Sequence, residues 1–463
     1  MEKLFKLKEH GTNVRTEVVA GLTTFFTMAY IIFVNPNILS ATGMNPAGVF
    51  VATCISAAIG TLMMAFVANL PYAQAPGMGL NAFFAYTVCL GMGFAWQEAL
   101  AMVFICGIFG IIITVTKVRK ALIAAIPANI QYAIGGGIGL FIAYIGFKNA
   151  GIIEFGATAE GVTAGAAAVP ALVNFTQPGA LLAVIGIVLT VVLLLLNIKG
   201  ALFISIIACT VIGIPMGVTQ LPTGALLDVS AAASISDVAF QLFGNPGFGS
   251  LFADPSRFLL AFAAIVAFLM TDVFDTIGTL IGTGRSTGFF DEEEEKQFRS
   301  GSGFKSRMER ALFADLTATT TGALLGTSNV TTYVESASGI AAGGRTGLSS
   351  LVTGILLLLC VPFASLVGIV PAEATAPALI VVGILMLANL NRIEWGNLEE
   401  AVPAFFTITV MAFGYSISSG IAAGFIFYII TKAVLGKAKE IHPIVYGSTA
   451  FFLLNFIITA VRS

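Results

Sequence analysis

The sequence predicts an all-α polytopic membrane protein of about fourteen transmembrane segments, in two inverted sets of seven whose third members are interrupted strand-helix segments. Three observations carry that prediction. Of the 463 residues, 57% are hydrophobic and only 10% are charged. Apolar runs of spanning length recur along the whole chain. Two runs, LPYAQAPGMGLNAFFAYT at 70–87 and LLGTSNVTTYVESASGIAAGG at 324–344, open with Pro, Gly, Ser, Thr or β-branched residues and read as helix only later. Extended backbone at membrane depth leaves amides unpaired, which is tolerable only where protein buries them or they line a cavity.

The first seven segments are expected near 17–34, 47–69, 73–92, 96–116, 121–149, 178–197 and 200–218. A polar, Gly-rich stretch at 221–256 separates them from a second seven near 257–284, 308–326, 327–342, 346–370, 374–390, 400–413 and 416–434. Each interrupted run is third in its set. Matching interruptions in two odd-numbered halves mark an inverted repeat with its binding site at the repeat interface. The run at 443–461 is either a fifteenth crossing or an interfacial tail. With the basic amphipathic arm MEKLFKLKEHGTNVRTE retained on the cytoplasmic side, the clusters Lys117/Arg119/Lys120, Lys296/Arg299/Lys305/Arg307 and Lys432/Lys437/Lys439 all fall on that side too, as the positive-inside rule requires. The loop at 150–177, rich in Ala and Gly and nearly free of positive charge, suits the outward face and carries no motif. The acidic run Asp291 to Glu295 reads as a solvated loop face.

Composition also removes function classes. No basic patch of the kind that nucleic acid requires is present. The five cysteines lie inside apolar runs with no CxxC pair and no local His, so they read as small buried hydrophobes, with no metal site or cofactor expected.

The most informative run is FLMTDVFDTIGTLIG, where Asp272 and Asp275 sit in the middle of an apolar segment. Placing Asp at the centre of a membrane helix costs about 2.5 to 3.5 kcal/mol on insertion scales, so such residues face a cavity, a partner or a transport path. Asp272, Asp275, Thr276, Thr279 and Thr283 fall at i, i+3, i+4, i+7 and i+11, one polar stripe. In the second interrupted run Glu335 stands where a short helix begins, flanked by Ser336 and Ser338. In the first, Asn81 follows Gly77 and Gly79, with Phe83, Phe84 and Tyr86 behind it. Three carboxylates with backbone donors and aromatic faces suit a small, planar, neutral ligand with N–H edges, such as a heterocyclic base. An anion would instead call for Arg or Lys, which the central segments almost lack. The two histidines, His10 and His442, lie outside the spans, so a coupling proton would ride on a carboxylate, and Asp272 and Asp275, one turn apart, could share one. Asp315 reads as an interfacial or packing residue. Phe83, Phe84 and Phe274 are individually better explained by packing or lipid contact than by stacking on a ligand, since the chain has 38 Phe.

The stretches EVVAGLTTFFTMAYI at 17–31, VFVATC at 49–54, FDTIGTLIG at 274–282, YVESASGIAAGGRTGL at 333–348 and TAPALIVVGILML at 375–387 resemble the nucleobase-cation symporter family, in its hypoxanthine/guanine/adenine permease branch of the xanthine/uracil permease superfamily. The resemblance runs nearly end to end. It implies a uracil-permease-like fold with a core domain at 1–116 and 257–370 and a gate domain at 117–220 and 374–463. It further implies proton-coupled uptake of purine bases by an elevator-type movement of core against gate, often in a homodimer in the cytoplasmic membrane, with sodium as the other candidate coupling ion. By the family pattern Asp275, three residues before Gly278, and Glu335 hold the base. Asn81, Thr276, Ser336, Phe274 and Phe83 complete the expected substrate site, and Asp272 joins Asp275 in proton coupling. The pattern D-x-F-D-T-x-G-T at 272–279 is closer to hypoxanthine and guanine carriers than to adenine carriers, and Thr279 stands where the uracil and xanthine branches often place a His or an acid. The rival readings are an adenine, xanthine or uracil permease or an anion carrier of the same fold. More remote are an intramembrane aspartyl protease, for which no GxGD motif is present, and an ion channel, for which no filter repeat exists.

Overall fold

A computed structural model describes residues 2–116, 127–157, 168–173, 175–221, 229–253, 255–287, 290 and 306–462. The basic clusters at 117–120 and 296–305 and the acidic run at 291–295 lie outside these residues.

Among the described residues, eight helices are long and apolar enough to cross a membrane, and a ninth span is the pair Gly347–Leu359 and Val361–Gly368, bent by 57°. Five shorter or more polar elements fill the remaining places in the order expected for two sevens. In the first half these are α1 (Val14–Met28) and α2 (Ile31–Ser40), which share one span, then α3 (Pro46–Met63), β1 (Gln74–Pro76) with α4 (Met78–Ala82), α5 (Trp96–Val115), α6 (Ala128–Asn149), α7 (Pro178–Leu195) and α8 (Ala201–Gly213). In the second they are α9 (Pro255–Thr287), α10 (Arg307–Leu325), β4 (Val330–Thr332) with α11 (Ser336–Ala341), α12 (Gly347–Leu359), α13 (Ala372–Leu387), α14 (Leu398–Phe413) and α15 (Ile417–Val434). A further helix, α16 (Pro443–Arg462), packs on α9 and α15.

The helix ends follow from local chemistry. The side chains of Asn13, Asn45, Ser306, Thr346, Asn397 and Ser416 each accept from a backbone N–H in the first turn of the helix they precede. The bent pair, eleventh of the fourteen segments, turns after Cys360 because Pro362, at the second position of the following turn, has no N–H to continue the helical ladder. The first span breaks at Ala29–Tyr30, and its second part runs on to Ser40 rather than stopping near 34.

The outward loop expected at 150–177 holds a two-stranded ladder: β2 (Ile153–Ala157) pairs antiparallel with β3 (Ala168–Leu172), Ile153 opposite Leu172. The segment AVPAL is β3, and its ladder partner supplies the pairing that a compositional reading of an Ala- and Gly-rich loop does not reveal.

Close approach at glycine holds the spans together. A Cβ at Gly339 would lie 2.0 Å from Thr24 Oγ1, one at Gly347 2.2 Å from the Ala65 carbonyl oxygen, and one at Gly107 2.3 Å from Thr320 Oγ1. The first, tenth and eleventh segments are also tied through Glu17, which is fully buried. Its carboxylate accepts from the backbone N–H of Arg345 (2.8 Å) and Ser349 (3.1 Å) and from the Ser349 hydroxyl. The outer face of α7 is different: Leu181, Val188, Val192 and Leu195 are exposed, the ridge expected of a helix bordering lipid.

Candidate functional site

The centre of the molecule is a two-stranded ladder made from the two interrupted segments. β1 and β4 pair antiparallel, with Gln74 opposite Thr332, Ala75 opposite Thr331 and Pro76 opposite Val330. Two flanking bonds extend the pairing, from Gly77 N–H to the Asn329 carbonyl (2.9 Å) and from Tyr333 N–H to the Ala73 carbonyl (3.0 Å). Three-residue strands leave their outer edges unpaired, which is costly at membrane depth. Side chains therefore close them. Thr61 Oγ1 accepts from the Gln74 N–H at 2.9 Å, and Ser336 Oγ accepts from the Ala73 N–H at 3.0 Å.

Four carboxylates surround this ladder, and they divide into two kinds. Asp272 of α9 is fully buried and accepts from Thr319 Oγ1 of α10 (2.8 Å) and Asn329 Nδ2 (3.0 Å). Asp315 of α10 is also fully buried and accepts from Thr276 Oγ1 and Thr332 Oγ1, both at 2.7 Å. Because the Thr276 hydroxyl spends its hydrogen on Asp315, the Thr331 hydroxyl 2.8 Å away is the donor to Thr276. The Gln74 amide completes the junction, donating to the Gly60 carbonyl (3.0 Å) and accepting from the Asp315 N–H (3.2 Å). Asp315, expected as an interfacial or packing residue, joins α9, α10 and β4.

Asp275 and Glu335 are half-buried, and their neighbours open outward: Gly278 and Val334 are exposed, and a Cβ at Gly278 would meet nothing within 4 Å. The helix that carries Asp275, α9, packs against β4 and α11, the two elements on either side of Glu335. Glu335 immediately precedes α11, and its Oε1 accepts a 2.6 Å hydrogen bond from the Tyr30 hydroxyl. Tyr333, its hydroxyl beside that of Tyr30, donates to the Pro76 carbonyl at 2.7 Å. Asp275, Glu335, Tyr30 and Tyr333 thus bring the broken first segment, α9 and the tenth segment to one place.

The other expected site residues are brought close but are engaged in structure. Asn81 is buried, with Oδ1 accepting from Ser328 and Nδ2 without a partner. Thr276 and Ser336 spend their hydroxyls on the junction just described. Phe83 is buried with its ring edge-on to Phe268, centroids 4.7 Å apart. Phe274 lies on α9, and its side chain falls outside the described residues. The residues missed in the sequence are Tyr30, Gln74 and Asn329. A polar group in an apolar run signals each of them, but nothing in the run says which long-range partner it meets.

The profile of the Permease family of xanthine/uracil type matches residues 15–423. The chain belongs to that family. It is therefore a multi-pass membrane transporter rather than an enzyme. It is 41% identical to the adenine permease AdeP of Escherichia coli over 460 residues, 99% of this chain and 96% of that one. It is equally identical, at 41% over 468 residues, to the guanine/hypoxanthine permease PbuG of Bacillus subtilis, covering 99% of each. In three dimensions it is similar to the transmembrane domain of the cyanobacterial bicarbonate transporter BicA, with a TM-score of 0.60 at 15% identity, over 88% of this chain and 97% of that one. It is likewise similar to SLC26A9, with a TM-score of 0.60 at 10% identity over 91% of this chain and 66% of that one. These likenesses are of fold alone.

Proposed function

We propose that this permease imports purine nucleobases, hypoxanthine and guanine foremost, across the cytoplasmic membrane in symport with protons. The observation that carries the reading is the half-open pair Asp275 and Glu335, two carboxylates beside a ladder of backbone amides and, among the described residues, without an ion pair to Arg or Lys. Such a site accepts N–H groups and rejects anions, and each hydrogen bond to a charged acceptor is worth about 1.5 to 3 kcal/mol. AdeP, PbuG and the guanine/hypoxanthine permease GhxP of E. coli O157:H7, 31% identical over 96% of this chain, all carry names of purine permeases. Identity is the same to AdeP and PbuG, so the choice of oxopurines rests on the D-x-F-D-T-x-G-T pattern at 272–279.

In this reading Asp275 and Glu335 hold the base, Asn81 and the backbone around it complete the pocket, and Asp272 with Asp275 carries the proton. Residues 1–116 and 257–370 form the moving core and 117–220 with 374–463 the gate, the N-terminus is cytoplasmic, and the working unit is a homodimer. The ladder supports treating the core as one body, since its two halves share backbone hydrogen bonds. The test is uptake of radiolabelled hypoxanthine into proteoliposomes with and without an inward proton gradient, with guanine, adenine and uracil as competitors. Gradient-driven uptake blocked by guanine is the expected result. Uptake indifferent to the gradient defeats proton coupling, and competition by adenine alone defeats the oxopurine assignment.

A further inference from the structure

Glu335 has two carboxylate oxygens, and the fold has already used one. Tyr30, only 1% exposed, donates its hydroxyl to Oε1 at 2.6 Å. The tyrosine has little freedom to leave. It stands at the break between α1 and α2, and five residues on Asn35 donates to Thr53 Oγ1 of α3 at 2.7 Å and to Thr327 Oγ1, ahead of β4, at 2.8 Å. The break is thus fastened to the same strand-helix segment that carries Glu335.

We propose that Tyr30 is a specificity-determining residue, which holds Glu335 as a single-oxygen acceptor and so levels the site's affinity for guanine and hypoxanthine. The inference rests on the purine reading above. Hypoxanthine offers one N–H beside its ring carbonyl, whereas guanine offers two adjacent donors, the ring N1–H and the exocyclic amino group. Two parallel N–H bonds to a carboxylate need both oxygens free and in plane. An oxygen already bonded to a phenol is a weaker acceptor, and the phenol ring narrows the approach to it. The second donor of guanine therefore gains little at Glu335, and Oε2 serves either base through one hydrogen bond.

The test compares binding of the two bases to the purified full-length protein in nanodiscs, by displacement of labelled hypoxanthine. In the parent the two affinities are expected within about threefold of each other. Tyr30→Phe, which removes the hydroxyl and keeps the ring, frees Oε1 and is expected to raise the guanine-to-hypoxanthine affinity ratio about tenfold, the yield of one further hydrogen bond to a charged acceptor. A tyrosine that merely supports the fold would shift both affinities together, so an unchanged ratio in Tyr30→Phe overturns the inference and leaves the purine reading standing. If that variant does not fold, the parent decides: a preference for guanine above about thirtyfold shows both oxygens in use and overturns it as well. Binding of neither base to the parent defeats the purine reading, and this inference with it.

Discussion

Asp272 and Asp275 are one helical turn apart on α9, yet the fold treats them in opposite ways. Asp272 points into the seam with α10 and the tenth segment, where Thr319 and Asn329 hold it without solvent contact. Asp275 lies on the adjoining edge of the helix, half-open beside Gly278, where α9 packs on α11 and so on the segment that carries Glu335. Asp315 belongs with the first and Glu335 with the second. A single polar stripe is thus two structures: an inner pair that ties helices to the central ladder, and an outer pair free to meet a ligand. Intramembrane acids usually mark function, but here half of them also build the frame that presents the other half.

The sharpest way to break this division is to neutralise one acid of each pair. Glu335→Gln is expected to lower initial hypoxanthine uptake about 10- to 100-fold, the loss of one charge-assisted hydrogen bond. Its thermal unfolding in detergent should stay near that of the parent. Asp315→Ala should do the reverse in kind: it leaves the Thr276 and Thr332 hydroxyls without their acceptor, at a cost of about 1 to 3 kcal/mol for each buried group. A clear fall in melting temperature and in yield of folded protein is the expected readout. If Asp315→Ala melts like the parent, the inner pair is not structural.

Glycine sharpens the same contrast at smaller scale. Gly347→Ala brings a Cβ within 2.2 Å of the Ala65 carbonyl, backbone against backbone, and should destabilise by about 1 to 3 kcal/mol. Gly278→Ala meets nothing within 4 Å, and its melting temperature should match the parent's while uptake falls through crowding of the open pair. Smallest of all is Lys148→Gln. The Lys148 ammonium lies 5.8 Å from the Tyr86 ring centroid and 5.4 Å from that of Tyr415, an exposed cation–π contact worth about 0.5 to 1 kcal/mol. A shift in melting temperature larger than that of Gly347→Ala would reverse the ranking.

The fold was legible because its signals are local. Spanning length, helix caps such as Asn45 and Thr346, and the Pro and Gly that interrupt segments three and ten all lie within a few residues of the structure they specify. The candidate site was legible only where an acid stood in apolar sequence, as at Asp275 and Glu335. The same signal at Asp315 reads as an interfacial or packing residue because it lies near the start of its segment, and nothing nearby says that Thr332 and Thr276 will reach it. The role of Tyr30 is hidden for a related reason. Its partner is 305 residues away, and an aromatic in a Phe-rich chain carries no mark of its hydroxyl's use.

Distance along the chain has a further consequence, for how the protein is made. Ala73 and Ser336, whose bond closes one edge of the ladder, are 263 residues apart. A chain entering the membrane from its N-terminus must therefore hold the Ala73 and Gly77 N–H groups without their partners while some two hundred and fifty more residues are synthesised. During that interval the first interrupted segment has neither strand partner nor helix long enough to stand alone in lipid. The first seven segments should accordingly be a waiting intermediate, open to chaperones and proteases until the tenth arrives, and a chain cut before residue 330 should be cleared from the cell rather than persist as a half-transporter.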